Sequence, residues 1–401
     1  MRIGILTYYK VMNFGATLQA VSTYCYLKNN GYDPVFINYQ SKEAQIAIKN
    51  GNGEPQWDAQ LDFVNSIIKN QTPVCETTSQ LNDIIIDENI EAIIIGSDAL
   101  LQHHSILARL KKGKRKPICI QRIGSDRLFP NIFWGVGFNE TVPTALMSVS
   151  SQNSNYKLFF PFTKWRMRNT LSKMKYISVR DTWTRDMVLN ILQRDVSITP
   201  DPVFAFEQNC SDYIPSKEEI LLKYDLPPNY VCASFFEQNL SRKQFEELKI
   251  KLNKKGISFV ILPMPTGRSY ESIADKILKF PMSPIDWYAI IKYSKGYIGN
   301  NMHPIVVSLA NAVPCYSLDN WGMTDFWGKK HDDGSSKIQH ILEVFGVSEN
   351  RRIVEKGKCD ISIDEIILGL ENYPTEKIRE KSLAYLQIYN KMMTDIIEAI
   401  R

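Results

Sequence analysis

The residues best suited to chemistry form the run Gly299-Asn300-Asn301-Met302-His303-Pro304. The run follows a strand-like stretch and leads into a helix, with Pro304 predicted at the first helical position, where proline is favoured. The backbone N–H groups and the dipole of a helix start attract an anion. An anion bound there would raise the pKa of His303, which predicts a proton donor at this point. A histidine that only caps backbone groups is the alternative.

A single arginine ends a strand-like run in the first half of the chain, Ile177-Ser178-Val179-Arg180. The carboxyl ends of strands in open α/β sheets face the ligand crevice. A guanidinium group there can hold a carboxylate or a phosphate through two hydrogen bonds. Arg180 is therefore a candidate anion ligand, and a surface ion pair with Asp181 or another carboxylate is the alternative.

Three polar turns follow other strand-like runs. Asn13-Phe14-Gly15-Ala16-Thr17-Leu18-Gln19 matches neither G-x-G-x-x-G nor a phosphate-binding P-loop, so no dinucleotide or P-loop nucleotide is indicated. Gly15 could simply make that turn. Gly96-Ser97-Asp98 is suited to sugar hydroxyls, and Arg268, in the loop after residues 257–262, is a possible second anion ligand.

The run Lys111-Lys112-Gly113-Lys114-Arg115-Lys116 holds five positive charges in six residues. It is either a solvated loop or a contact with an anionic membrane surface or a lipid diphosphate. The whole chain has a net charge of only +5, which does not favour nucleic acid as a partner. His103 and His104 are adjacent and cannot share a helical face, so no metal site is expected.

Other features bear on the compartment of the protein. Residues 1–6 pass straight into a strand-like run without the pattern of a signal peptide, and no apolar run approaches the ~20 residues that span a bilayer. Seven scattered cysteines without a C-x-x-C pair suit reduced thiols and offer no zinc site. We expect a cytoplasmic protein, at the inner face of the membrane if residues 111–116 make contact.

The elements that must position these residues fall into two similar halves. Strand, helix and strand within about 40 residues predict a βαβ unit and a parallel sheet, and the alternation starts again at Tyr230. The sequence therefore predicts an α/β protein of GT-B-like type, with two Rossmann-like domains whose parallel sheets face a central cleft. We place the domains at residues 1–205 and 206–374. The apolar spacing of 375–401 predicts a closing helix that joins the first domain.

These motifs, taken together and in order, resemble the polysaccharide pyruvyl transferase family. The opening strand with Asn13-Phe14-Gly15-Ala16-Thr17-Leu18-Gln19-Ala20 resembles the family's N-[YF]-G-[AS]-x-L-Q-A turn. The other matching motifs, in chain order, are Ile95-Gly96-Ser97-Asp98, Ile177-Ser178-Val179-Arg180-Asp181, Asp201-Pro202-Val203 and Met302-His303-Pro304. Many members have serine and arginine or phenylalanine before the histidine, where this chain has Asn301 and Met302. Their loop after the G-S-D motif usually continues toward a tryptophan, where this chain has residues 99–102, Ala-Leu-Leu-Gln.

The resemblance implies transfer of a pyruvyl group from phosphoenolpyruvate to two hydroxyls of one sugar, with no cofactor and no metal. His303 would donate the proton, and Arg180 would bind the donor's anionic groups. The helix start at Asn300 and Asn301 would assist in donor binding, followed by Arg268. The acceptor, on a lipid carrier or free, would meet the turns of the first domain, at Asn13, Gly15, Gln19, Gly96, Ser97 and Asp98. Asp98 is also a candidate base for the sugar hydroxyl.

Two other functions share this gross shape. A GT-B glycosyltransferase that uses a nucleotide sugar is the main alternative, but residues 300–318 contain no Asp or Glu to hold the donor ribose. A two-domain periplasmic sugar-binding protein would need a signal peptide. The sequence favours pyruvyl transfer over both.

Overall fold

The computed structural model describes residues 1–113, 117–236, 239–264, 273–320, 322–327, 329–355 and 360–401. Up to residue 205 its strands and helices alternate almost regularly. These elements, in chain order, are β1 (Arg2–Leu6), α1 (Phe14–Asn29), β2 (Asp33–Phe36), α2 (Lys42–Gly51), α3 (Pro55–Ile67), α4 (Thr78–Asp87), β3 (Ala92–Asp98), α5 (Ile106–Arg109), β4 (Leu110–Lys112), β5 (Ile118–Ile120), β6 (Thr144–Val149), α6 (Pro161–Leu171), β7 (Tyr176–Val179), α7 (Thr182–Leu192) and β8 (Ser197–Ile198).

A short 3₁₀ turn at Pro202–Ala205 leads into the second set of elements. These are α8 (Phe206–Cys210), α9 (Lys217–Tyr224), β9 (Tyr230–Ser234), α10 (Arg242–Asn253), β10 (Ser258–Ile261), β11 (Lys276–Ile277), α11 (Pro284–Lys292), β12 (Gly296–Gly299), α12 (Met302–Ala310), β13 (Cys315–Asp319), β14 (Met323–Thr324), β15 (Lys330–His331), α13 (Lys337–Phe345), β16 (Arg351–Ile353), α14 (Ile363–Glu371) and α15 (Thr375–Ile400).

Each domain is built on a six-stranded parallel sheet. The first sheet has the order β2-β1-β3-β6-β7-β8, and the second has the order β11-β10-β9-β12-β13-β16. Strand order reverses between β1 and β3 in the first sheet and between β9 and β12 in the second. Ligands of open α/β sheets bind at such switch points, beyond the carboxyl ends of the strands. The two-domain, GT-B-like fold predicted from the sequence is confirmed.

The sequence explains why these strands lie inside. Ala92–Asp98 is buried at every residue, as expected of a central parallel strand covered by helices on both faces. Gly96 in that strand has φ +134°, and a Cβ there would lie 2.1 Å from the carbonyl oxygen of Met147. Only glycine fits this approach of two backbones, which explains the glycine of the G-S-D turn.

One apolar core continues from the first domain into the second. It includes Ile5 and Leu18 from the first domain, Ile305 from α12, and Ile396 from the C-terminal helix α15. Helix α15 contacts β6 and β7 as well as α12, so it packs back on the first domain as its apolar spacing predicts. Nothing in this packing fixes the domain limits at residues 205 and 374, which stay predictions.

The start of one helix differs from the prediction. Helix α12 begins at Met302, two residues before the predicted start, so Pro304 occupies its third position. The prediction for Pro304 was wrong because the helix-compatible backbone already begins at Met302, next to the cap residue Asn301. Within the described part of the chain, no helix has both the length and the apolar character needed to cross a bilayer.

Candidate active site

The carboxylate of Asp201 lies at the centre of the candidate site. Its Oδ1 accepts a hydrogen bond from the backbone N–H of Val203 and so caps the 3₁₀ turn. Its Oδ2 accepts from Nη1 of Arg180 at 2.7 Å and from Nε2 of Gln19. The same oxygen lies 4.0 Å from Nε2 of His303, which belongs to the second domain. One carboxylate thus joins three of the residues singled out in the sequence.

Arg180 is held by a buried ion pair and still has unused donors. The residue is 3% exposed and Asp201 is 1% exposed. The neighbouring carboxylate of Asp181 accepts instead from Thr184 N–H, as the cap of α7, and from the Ser150 hydroxyl. Among the described residues, Nε and Nη2 of Arg180 have no hydrogen-bond partner. The alternative, a surface pair with Asp181 or another carboxylate, is right in that Arg180 has a carboxylate partner, but that partner is Asp201 and the pair is buried. Two buried N–H-bearing nitrogens remain for an anion.

His303 projects from α12 onto the first domain, directly against Gly15. A Cβ built on Gly15 would lie 1.9 Å from Cγ of the imidazole, so the ring occupies the space that any other residue would fill. The Nε2 atom of His303 is buried and has no hydrogen-bond partner in the described part of the chain. The alternative that Gly15 simply makes a turn is wrong, because Gly15 is the second residue of α1 and lets a ring of the second domain approach that helix.

The protonation of His303 is set by its surroundings. Burial lowers the pKa of His303 to about 4, Arg180 and Lys337 act in the same direction, and Asp201 and Asp98 oppose them. The imidazole of the unliganded protein is therefore neutral at pH 7. A negatively charged ligand would remove part of this penalty and raise the pKa.

Lys337 completes the group, and sequence reasoning missed it. It is the first residue of α13 and is buried. Burial lowers its pKa to about 8, Arg180 acts in the same direction, and Asp98, Asp181 and Asp201 oppose them. These interactions place its ammonium among the charges of the site. The sequence position of Lys337 could have indicated it, because a lysine at a helix N-terminus is disfavoured by the helix dipole. Such a lysine suggests an interaction with a negative charge elsewhere in the structure.

Asp201 was also missed as a site residue. The sequence shows it only as the start of the Asp201-Pro202-Val203 motif that closes the first half of the chain. Burial penalises a lone carboxylate and by itself would raise the pKa of Asp201. The charge of Arg180, with hydrogen bonds from the Val203 N–H and the Gln19 amide, holds the pKa of Asp201 below its usual value. Asp201 is therefore ionised and acts as the counter-charge of the site.

Two other residues predicted to bind donor or acceptor have contacts of their own outside the group around Asp201. Asn300 donates to the side chain of Asn239 and is buried, whereas Asn301 is the cap residue of α12 and makes no side-chain capping bond. Asn13 caps α1 through the N–H of Ala16. Arg268 lies outside the described residues.

The G-S-D turn lines the first-domain side of the site. The hydroxyl of Ser97 donates to the carbonyl of Ser148, and the carbonyl of Ser97 accepts from Thr7. The Asp98 carboxylate accepts from the N–H of Ala99 at 2.6 Å and acts electrostatically on His303 and Lys337. Asp98 is thus close to the group, while Ser97 holds the turn. Gln19 is fully buried behind Asp201, and the geometry supports a role for it in holding that carboxylate.

A groove of the first domain begins four residues beyond Asp98, at Gln102. Its volume is about 510 Å³, and it lies between the first domain and the segment Met323–Phe326 of the second. Its lining is rich in amides and cations, which are Gln102, Arg109, Lys111, Gln121, Arg127, Gln152, Asn153 and Asn155. The carbonyl of Asp98 accepts from the N–H of Ser150, two residues before Gln152, so the groove begins next to the G-S-D turn.

Solved structures share the fold. The UDP-GlcNAc 2-epimerase from Neisseria meningitidis bound to UDP-GlcNAc is 10% identical, covers 99% of each chain and gives a TM-score of 0.59. The UDP-N-acetylglucosamine 2-epimerase from Rickettsia bellii is 9% identical, covers 100% of this chain and 96% of the other, and gives 0.56. At such identities the likeness shows the fold alone. No curated protein matches the chain.

The family comparison covers most of the molecule. The family model for polysaccharide pyruvyl transferase matches residues 13–322. That range contains Gly15 at the start of α1, the strand end at Arg180, Asp201 and the helix start at His303. The chain therefore belongs to the polysaccharide pyruvyl transferase family.

Proposed function

We propose that this protein transfers a pyruvyl group from phosphoenolpyruvate to two hydroxyls of one sugar, in the biosynthesis of a cell-surface or capsular polysaccharide. The observation that carries the proposal is the meeting of Arg180, Lys337 and His303 around Asp201, between the two domains. The donor has a carboxylate and a phosphate, and each of these anions needs cationic or N–H donors when it leaves water.

The donor's two anionic groups have separate candidate ligands. Nε and Nη2 of Arg180 form one edge of the guanidinium fork, which suits a carboxylate or a phosphate. Lys337 and the first N–H groups of α12, next to Asn301, suit the other group. Many family members have an arginine just before the histidine, and this chain has none there; Lys337 supplies a cation from another helix. Arg268 stays a predicted further ligand.

The reaction needs one proton donor and returns one proton. Protonation of the methylene carbon of phosphoenolpyruvate turns it into a methyl group and leaves an oxocarbenium-like carbon. The first sugar hydroxyl attacks that carbon and loses its proton. Phosphate then leaves with the C–O bonding electrons, and the second hydroxyl closes the cyclic ketal. The two hydroxyl protons balance the one that enters the methyl group and the one that leaves with phosphate.

His303 is the proposed proton donor. Its Nε2 is buried, has no partner in the described residues and lies 4.0 Å from the carboxylate of Asp201. The ring is neutral at pH 7 without ligand, because burial holds its pKa near 4. The negative charge of the donor would raise that pKa, so the imidazole would be protonated only when the donor is bound.

The groove next to Asp98 is the proposed acceptor site. It opens beside the G-S-D turn and is lined by side chains that hydrogen-bond to hydroxyls, such as Gln102 and Gln152. Asp98, the carboxylate closest to the groove on this turn, is the proposed base for a sugar hydroxyl. Asn13, Gly15, Gln19, Gly96 and Ser97 stay predictions as acceptor ligands.

A nucleotide-sugar glycosyltransferase is the alternative. The first carboxylate after the acid-free stretch 300–318 is Asp319. It is fully buried and accepts from Ser336 and Arg351, so it is already engaged within the second domain. This arrangement disfavours a ribose-binding role for Asp319 and favours the phosphoenolpyruvate donor.

Isothermal titration of phosphoenolpyruvate and of UDP-GlcNAc into the same protein separates the two functions. We expect phosphoenolpyruvate to bind and Arg180→Lys to weaken it about tenfold to a hundredfold, because a point charge replaces the fork. Arg2→Lys, which alters the pairs of Arg2 with Asp33 and Glu88 at the amino end of β1, is the matched control and should leave donor affinity unchanged. Binding of UDP-GlcNAc alone would refute the proposal.

A further inference from the structure

Two segments of the first domain concentrate the positive charge of the chain. Residues 105–113 and 117–123 contain four Lys or Arg residues, residues 156–175 contain six, and none of these ranges has an Asp or Glu. The whole chain has a net charge of only +5, so the rest of the sequence is net negative. Residues 114–116 lie outside the described part of the chain, and only the other residues of the two segments enter the proposal.

The same segments expose large apolar side chains. Phe162 and Trp165, on one face of α6, are 67% and 57% exposed, and their rings stack with centroids 5.8 Å apart. Other exposed apolar side chains of these segments are Ile106, Leu107, Ile118, Ile120 and Phe160. Exposed apolar groups in such numbers within two short segments mark an interaction surface rather than chance exposure.

The two segments border one groove. Leu107 and Arg109 line the proposed acceptor groove from the first segment, and Leu158 lines it from the second. Strands β4 and β5 form an antiparallel hairpin, and the N–H of Lys112 donates to the carbonyl of Phe326 in the second domain. The same segments expose the cations Lys112, Arg122, Lys157 and Arg166.

We propose that residues 105–113, 117–123 and 156–175, here named the basic apolar face, dock on the surface of an anionic lipid bilayer. Positive charge attracts anionic headgroups, and aromatic rings with aliphatic side chains enter the headgroup boundary. The combination argues against nucleic acid, since the exposed isoleucines and Leu107 would have no base or phosphate to contact. The acceptor groove would then open at the membrane surface, where a lipid-anchored glycan is held.

Flotation of the full chain with vesicles tests the face directly, without donor or turnover. The probes are vesicles of phosphatidylcholine alone and of equal parts phosphatidylcholine and phosphatidylglycerol. We expect the protein to float with the anionic vesicles and to stay behind with the neutral ones. Because no reaction is involved, the result is independent of the proposed pyruvyl transfer.

Cys119 supplies a second readout. It lies on β5 within the face and is exposed, whereas the other five described cysteines are buried. In a Cys359→Ser background, an environment-sensitive fluorophore on Cys119 should shift to the blue with anionic vesicles. No shift despite flotation would show that another part of the surface binds, and would overturn the proposal.

Two pairs of variants separate charge from apolar insertion. Lys112→Glu/Arg122→Glu/Arg166→Glu should weaken partition by about a hundredfold or more, since each basic residue at an anionic surface contributes about fivefold. The control Lys243→Glu/Lys254→Glu/Lys295→Glu makes the same change in net charge elsewhere and should keep most of the binding. Phe162→Ala/Trp165→Ala should also weaken flotation, whereas Leu222→Ala/Ile250→Ala, which removes exposed apolar residues of α9 and α10, should not.

Other outcomes would overturn the assignment. Equal loss in both charge variants would mean non-specific attraction by net charge. Unchanged flotation of Phe162→Ala/Trp165→Ala, together with equal competition by duplex DNA, would identify a polyanion-binding surface instead of a lipid-binding one. Absence of binding to anionic vesicles would refute the proposal outright.

Discussion

Replacing Gly15 by alanine tests whether the two domains meet as described. The added Cβ would lie 1.9, 2.1 and 2.4 Å from Cγ, Nδ1 and Cδ2 of His303. Since carbon atoms pack at about 3.5–4.0 Å, the ring must retreat by about 1.5–2 Å. Overpacking of this kind costs about 1–3 kcal/mol of unfolding free energy. Displacement of a reacting group by about 1 Å can cost about a hundredfold in rate.

The informative measurement is a double-mutant cycle by urea unfolding. In the His303→Ala background the ring is gone, so Gly15→Ala should be neutral or stabilising by up to about 1 kcal/mol, as alanine is in a helix. The sign of its effect should therefore reverse between the two backgrounds, with a coupling energy of about 1–3 kcal/mol. The cycle needs no acceptor, and phosphate release from donor and acceptor can be added as a kinetic readout. Equal destabilisation in both backgrounds would refute the contact between Gly15 and His303.

Three further predictions concern the charges of the site. Asp201→Asn leaves Arg180 buried without a counter-charge, so it should lower the unfolding free energy, measured by urea titration, by about 3–5 kcal/mol. A loss below about 1 kcal/mol, as for an exposed pair, would contradict the buried ion pair. Lys337→Met should raise the unfolding free energy at pH 7 by up to about 3 kcal/mol, because burial of the ammonium lowers the pKa of Lys337 to about 8. The same substitution should weaken donor binding, and unchanged donor affinity would remove Lys337 from the donor site. The pKa of His303 is about 4 in the folded protein and 6.5 in the unfolded chain. The unfolding free energy should therefore fall by up to about 3 kcal/mol as the pH is lowered from 6.5 to 4, and His303→Gln should make that decline shallower. An unchanged dependence of the unfolding free energy on pH would contradict the burial of the ring.

The order of strands and helices could be predicted from the sequence because local patterns determine it. A buried apolar run bounded by polar turns, as at Ala92–Asp98, predicts a central strand without knowledge of its neighbours. The helix before the Gly31 turn and the C-terminal helix α15 follow from apolar spacing alone. The start of α12 was displaced by two residues because proline tolerates several positions in a first helical turn.

Only half of the central site residues could be predicted from the sequence, for a physical reason. His303 and Arg180 stand at a helix start and at a strand end, which are local signals. Asp201 and Lys337 acquire their importance from charges that approach them across the chain, and no local pattern carries that information. Even Arg180 was ambiguous, since its partner lies 21 residues further on and not next to it.

The central claim is that the cleft around His303 converts phosphoenolpyruvate and a sugar diol into a cyclic pyruvyl ketal. The most direct measurement is mass spectrometry of glycan acceptors incubated in D₂O with protein and phosphoenolpyruvate, alongside a phosphate assay. We expect a ketal that carries one solvent deuteron in its methyl group, is formed in equal amount with phosphate, and is absent with His303→Ala. A sugar added from UDP-GlcNAc without turnover of phosphoenolpyruvate, or full ketal formation by His303→Ala, would contradict it.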